Sequence, residues 1–138
     1  MRIGHFPGFK GYDAVLISCD RGDVNILRAV AREAVASRSP VSVNERCNVS
    51  ATIPARLQLV AAATGVRIPS AVLQFTWRID PAFHSSIDGL LEGLVGPSGH
   101  QYFDLDGKNA ALCVSIGEYD ENWWRAQSVT PAGKRDSK

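Results

Sequence analysis

The stretch Ala71 to Ile79 constrains the fold of this chain more than any other. Its odd positions, Ala71, Leu73, Phe75, Trp77 and Ile79, are all apolar; Gln74, Thr76 and Arg78 alternate with them, and Val72 alone breaks the pattern. A period of two puts one face in a core and the other in water, the signature of a half-buried strand. Asp80-Pro81 follows at once. Aspartate caps helix N-termini and proline suits the first helical position, so a helix starts where the strand stops. Pro81 to Val95 then carries Phe83, Ile87, Leu90, Leu91 and Leu94 at helical spacing, which leaves His84, Asp88 and Glu92 to water. Ser86, Gly89, Gly93 and Gly96 form a row of small residues beside the leucines. A glycine inside a helix costs about 1 kcal/mol relative to alanine. The row therefore implies close approach to the sheet or a loop, or alternatively a groove for a partner helix. On the first reading Gly89→Leu destabilises the protein by steric clash.

Upstream, residues 1–12 are punctuated by Pro7, Gly8 and Gly11 and read as a loop whose aromatics pack down. Asp13 to Asp20 encloses a continuous apolar run, which suits a central strand covered on both faces. Asp20 to Arg38 reads as a helix with Val24, Leu27, Ala31 and Ala34 in one stripe and Asn25, Arg28 and Arg32 opposite. Val41 to Ile53 alternates nearly throughout; thirteen residues is long for one strand, so a break near Asn48 is expected. Residues 55–64 alternate at Leu57, Leu59, Ala61 and Ala63, although their alanines and Gly65 would equally suit a short helix; the alternation is read as a strand.

Downstream, residues 100–105 and 110–116 form a hairpin around Asp106-Gly107-Lys108-Asn109. Pairing Leu105 with Ala110 sets Phe103 opposite Leu112 and Gln101 opposite Val114. The other face then holds Asp104 with Ala111, Tyr102 with Cys113 and His100 with Ser115, and a slip of one residue would mix the two. A short helix capped by Asp120 follows, and residues from Pro131 form a polar flexible tail. The whole reads as one α+β domain over residues 1–130, a two-layer arrangement. A mostly antiparallel sheet of five to six strands carries two helices on one face.

Net charge is only +1, which gives no general pull on nucleic acid, but it is unevenly spread: +5 over residues 1–78 and −4 over residues 79–138. An acidic half attracts a basic partner, or is simply a solvated surface. Three widely spaced cysteines, Cys19, Cys47 and Cys113, suggest reduced thiols rather than a disulfide frame. With no apolar leader at residues 1–5 and no long apolar run, a cytoplasmic protein away from membranes is expected.

Motifs for chemistry fail on inspection. Asp104-Leu105-Asp106-Gly107 starts like a calcium loop but has Ser115 where the closing glutamate belongs. Gly107-Lys108 lacks the earlier glycine of a phosphate loop. His5, His84 and His100 fall in different elements and make no metal set, and no cofactor motif is present. His100 beside Ser115 suggests a nucleophile and its base, but a triad needs a third group, and Asp104 lies ~13 Å along the strand. The remaining candidate is a surface: His100, Tyr102 and Asp104 on one strand face, then Glu118, Tyr119, Asp120, Glu121, Trp123 and Trp124. Trp and Tyr dominate interface hot spots, and acids around them select basic partners. Adjacent tryptophans cannot both point into a core, so one is expected buried and one available.

Trp77, the run Gly99-His100-Gln101-Tyr102-Phe103-Asp104 and the run Val114-Ser115-Ile116-Gly117-Glu118-Tyr119 together resemble a pattern in small bacterial α+β proteins. Some of these are grouped with the immunity proteins of polymorphic-toxin systems. The resemblance spans residues 70–124. It implies a cytoplasmic, non-enzymatic protein that binds and blocks a cognate toxin. The alternative is a small enzyme or ligand-binding domain that uses the His100, Tyr102 and Ser115 face.

Overall fold

The computed structural model describes residues 1–47, 49, 55–69, 74–106 and 109–129. The expected tail from Pro131, the hairpin tip at 107–108, the start of the Ala71–Ile79 strand and most of the stretch from Asn48 to Ile53 lie outside the described residues. The chain is α+β, with its strands in two mixed sheets. In order it runs β1 (Arg2–Phe9), β2 (Tyr12–Cys19), α1 (Arg21–Ser37), β3 (Val41–Ser42), α2 (Val43–Arg46), β4 (Arg56–Ala61) and β5 (Gln74–Ile79). A 3₁₀ turn at Pro81–Phe83 leads to α3 (His84–Glu92), β6 (Gly99–Asp104), β7 (Ala110–Ile116) and α4 (Glu121–Val129).

The larger sheet has the order β1-β2-β7-β6 and the smaller β3-β4-β5. The pairs β2–β7 and β4–β5 are parallel, and β1–β2, β6–β7 and β3–β4 antiparallel. Among the described residues one backbone bridge joins the two sheets, where the Asp106 amide donates to the Thr76 carbonyl at 2.8 Å. Arg78 reinforces the junction by donating to Asp106 at 2.8 Å. In place of the single sheet expected from sequence there are two sheets joined through this bridge. Their inner faces close on one core with α1 and α3, built from Ile3, Val15, Ile17, Leu27, Leu59, Trp77, Leu91, Leu112 and their neighbours.

The β6–β7 register agrees with the sequence: His100 faces Ser115, Tyr102 faces Cys113 and Phe103 faces Leu112. Strands at 13–19 and 56–61 also form, and Phe75, Trp77 and Ile79 point into the core. Residues 2–9 are a strand rather than a loop. Pro7 and Gly8 sit where the register shifts between Phe6 and Phe9, and β1 is an edge strand, where a missing N–H is tolerated. The strand expected at Val41 stops after two residues. Ser42 accepts from the Glu45 amide and starts α2, and Val43 and Cys47, four apart, satisfy a helical period as well as an alternating one.

Helix α1 opens with a capping box: Asp20 accepts from the Asp23 amide at 2.8 Å and Asp23 from the Asp20 amide at 3.1 Å. It buries Val24, Leu27, Val30, Ala31 and Ala34. Helix α3 is rotated from expectation. Asp88, assigned to water, receives both Arg28 donors at 2.8 and 2.9 Å, and Arg21 grips the Glu92 and Leu94 carbonyls. Arg28's hydrogen bonds hold the Asp88 carboxyl below its usual range. Leu91 and Leu94 are buried, while Phe83 and Leu90, expected inside, are exposed. No helix among the described residues is long and apolar enough to cross a membrane.

The glycine row is therefore open on the α3 side: a β-carbon at Gly89 would meet nothing within 4 Å. The expected clash at Gly89 is overturned. Gly89→Ala should stabilise the protein by about 0.5–1 kcal/mol through helix propensity in urea unfolding. Gly117 is the opposite case. Its φ is +70°, and a β-carbon there would lie 2.0 Å from the Pro97 carbonyl oxygen. Gly117→Ala should cost about 2 kcal/mol or more in the same assay.

Candidate functional site

On the face of the larger sheet turned away from the main core, alternate residues of each strand project outward. From β6 come His100, Tyr102 and Asp104, all exposed. The neighbouring strands contribute Ser115 and Cys113 from β7 and Leu16 and Tyr12 from β2, and β1 adds Gly4 and Phe6. Helix α4 lies over the β1–β2 side of this face and leaves the β6 side uncovered. Beneath α4, Phe6, Leu16, Cys113 and Trp124 form a second, smaller apolar cluster, with Phe9, Tyr119 and Trp123 packed around it.

The nine residues expected to form a recognition surface separate into distinct groups. Trp124 is 1% exposed and offers no area to a partner. Trp123 is half-buried in an aromatic nest, 4.6 Å from Tyr119 and 5.3 Å from Phe6, centroid to centroid. Of the expected split, the structure shows the buried tryptophan, Trp124; Trp123 packs half-buried against the same cluster rather than standing free. Asp120 accepts from the Trp123 amide at 2.9 Å and caps α4. Glu121 pairs with Arg2, whose Nε donates at 2.9 Å. Glu118 is held tightest: Ser115 Oγ donates to one carboxylate oxygen at 2.6 Å, and His100 Nδ1 lies 2.9 Å from the other. Burial opposes its ionisation, but the bonds from Ser115 and His100 and the charges of His100 and Lys10 prevail, so its pKa is lowered.

Because an ionised carboxylate only accepts, His100 Nδ1 is the donor to Glu118. The Ser115 hydroxyl is committed to Glu118 and not to the imidazole, and Ser115 is fully buried. The cross-strand neighbours therefore form no nucleophile–base pair; the third group sits between them and takes both donors. Asp104 plays no part in this cluster. Instead it lines, with Tyr12, Asp13, Leu105 and Asn109, a broad depression of about 460 Å³. Among the described residues no three His, Cys, Asp or Glu converge to hold a metal ion.

Two contributors were not foreseen. Tyr12 is 42% exposed, its ring edge-on to Tyr102 at 6.2 Å, and Tyr102 is 38% exposed and 5.1 Å from the His100 ring. A hydrogen bond with Tyr12, then partial burial, raise the Tyr102 pKa, so its phenol is neutral at physiological pH. Lys10, at the β1–β2 turn, sits 5.5 Å over the Phe9 ring and interacts with the Tyr119 phenol. Tyr12 reaches Tyr102 through the parallel β2–β7 pairing, a long-range contact without a local sequence signal. Burial pushes the Cys113 thiol up to about 11 and the Cys19 thiol to about 12, so neither is a ready nucleophile. Comparison with protein-family models, with curated proteins and with solved structures gives no match to this chain.

Trp124→Ala should cost about 3–5 kcal/mol in urea unfolding, as for a buried aromatic, and Trp123→Ala clearly less. Glu118 has a lowered folded-state pKa, so its contribution is present above the unfolded value and lost as pH falls through the folded one. Glu118→Gln should therefore flatten the acid limb of a stability–pH curve below about pH 5 and leave the alkaline limb unchanged.

Proposed function

We propose that this chain is a non-enzymatic protein-binding module. On its resemblance to the immunity proteins of polymorphic-toxin systems, we propose further that it acts in the cytoplasm and neutralises a basic toxin domain. The observation that carries the reading is the uncovered part of the outer sheet face. There Tyr12, His100, Tyr102 and Asp104 stand exposed on rigid strands, with the Glu118 carboxylate held beside them. Aromatic rings on a rigid floor give contact area at low entropic cost, and acids around them favour a cationic partner. The depression beside Asp104 opens to solvent and, among the described residues, brings together two carboxylates and one phenol. That geometry supports contact with a protein surface better than turnover of a small molecule.

The structure also decides which substitutions test the reading cleanly. Glu118, Asp120 and Glu121 have structural duties, so neutralising them would confound binding with stability. Asp104 and Tyr102 are the better probes. With a basic toxin domain encoded beside this chain as titrant, a tight complex is expected. Tyr102→Ala should weaken it by ~2 kcal/mol or more, mainly through faster dissociation. Asp104→Asn should slow association and reduce its salt dependence. Binding indifferent to both substitutions would remove this face from the account.

A further inference from the structure

Helix α4 relates to the rest of the molecule differently from α1 and α3. Those two pack into the main core between the sheets, whereas α4 rests on the opposite side of the larger sheet. Its cluster of Phe6, Leu16, Cys113 and Trp124 is separate from that core, and α4 adds no strand to either sheet. Lifting it would leave the main core closed.

Two aromatic side chains seat α4, Trp124 against Phe6 at 5.7 Å and Trp123 against Phe6 at 5.3 Å and Phe9 at 6.5 Å, centroid to centroid. Arg2 and Glu121 pair at an exposed rim, where water competes. Ser18 Oγ donates to the Tyr119 carbonyl at 3.1 Å. The principal anchor, Trp124, carries a contradiction: its indole Nε1 is fully buried and, among the described residues, has no acceptor. An unsatisfied buried N–H opposes docking, and it regains a partner as soon as water reaches it. Helix α4 also carries its own N-terminal cap, since Asp120 and the Trp123 amide belong to the same segment. The chain just before it is fixed, with Gly117 wedged against Pro97 and Glu118 clamped by Ser115 and His100. Motion is thus confined to residues 119–120 and the helix.

We infer that α4 is a releasable strap, which undocks as a unit well below the free energy of global unfolding and bares the floor of Gly4, Phe6, Leu16 and Cys113. The inference does not depend on any partner. Gly4 sets how closely the strap seats, because a β-carbon there would lie 2.8 Å from the Phe6 ring and 2.9 Å from the Trp124 ring.

Cys113 is a built-in reporter, 1% exposed within the strap's cluster. Iodoacetamide alkylation of the full chain, followed cysteine by cysteine by mass spectrometry across a urea series, is compared with residue-resolved amide exchange. Cys113 should be alkylated at least tenfold faster than global unfolding permits, with a urea dependence less than half that of full unfolding. Amides of residues 122–127 should report the same opening free energy, while those of Val15 and Leu112 open only with the whole protein. Gly4→Ala should raise Cys113 alkylation severalfold more than it changes exchange at Val15. Cys113, α4 and β2 opening together, with one free energy and one slope, would overturn the inference. So would fast alkylation of Cys113 while the α4 amides keep full protection.

Discussion

Because β2 and β7 run parallel, in register from Asp13–Ala110 to Cys19–Ile116, both strands of this pair need cover on both faces. Val15, Ile17, Leu112 and Val114 are covered by α1 and the smaller sheet. Leu16 and Cys113, on the other side, have no second sheet above them, and α4 is what covers them. The small side chain of Gly4 lets Trp124 come down onto that face. The two apolar clusters are thus consequences of one pairing.

The same constraint divides the outer face. One short helix covers the β1–β2 side, and β6 at the far edge keeps its outward row of His100, Tyr102 and Asp104 in solvent. Between the covered and open parts, Glu118 ties the β7–α4 connection to β6 through His100 and back to β7 through Ser115. A carboxylate that accepts two donors while partly withdrawn from water gives that connection a fixed geometry. The chemistry that looked catalytic in the sequence, a histidine beside a serine, is here the fastening of a loop.

What the sequence made legible was local. Alternation located Phe75, Trp77 and Ile79 in the core, and the contrast between the two faces of 100–116 gave the β6–β7 register residue by residue. The cap at Asp120 and the burial of one of the two tryptophans also followed from short-range rules. What stayed hidden depends on distant pairing. Pro7 and Gly8 speak against a strand until β1 is known to lie at an edge. Val43 and Cys47 fit two periods at once, and the cap on Ser42 decides between them. The stripe on α3 was misplaced because Arg28, sixty residues away, draws Asp88 inward and turns Phe83 and Leu90 out. Tyr12 joins the candidate surface only through the β2–β7 pairing.

The Tyr12–Tyr102 face of the larger sheet can be set against a second exposed region, Phe83 in the 3₁₀ turn and Leu90 in α3, respectively 57% and 44% exposed. Hydroxyl-radical footprinting of the free protein and of its complex with a partner separates them directly, since all four side chains oxidise readily when solvent-accessible. The account predicts that Tyr12 and Tyr102 become protected in the complex while Phe83 and Leu90 stay as reactive as in the free chain. Protection of Phe83 and Leu90 with unchanged oxidation of Tyr12 and Tyr102 would contradict it.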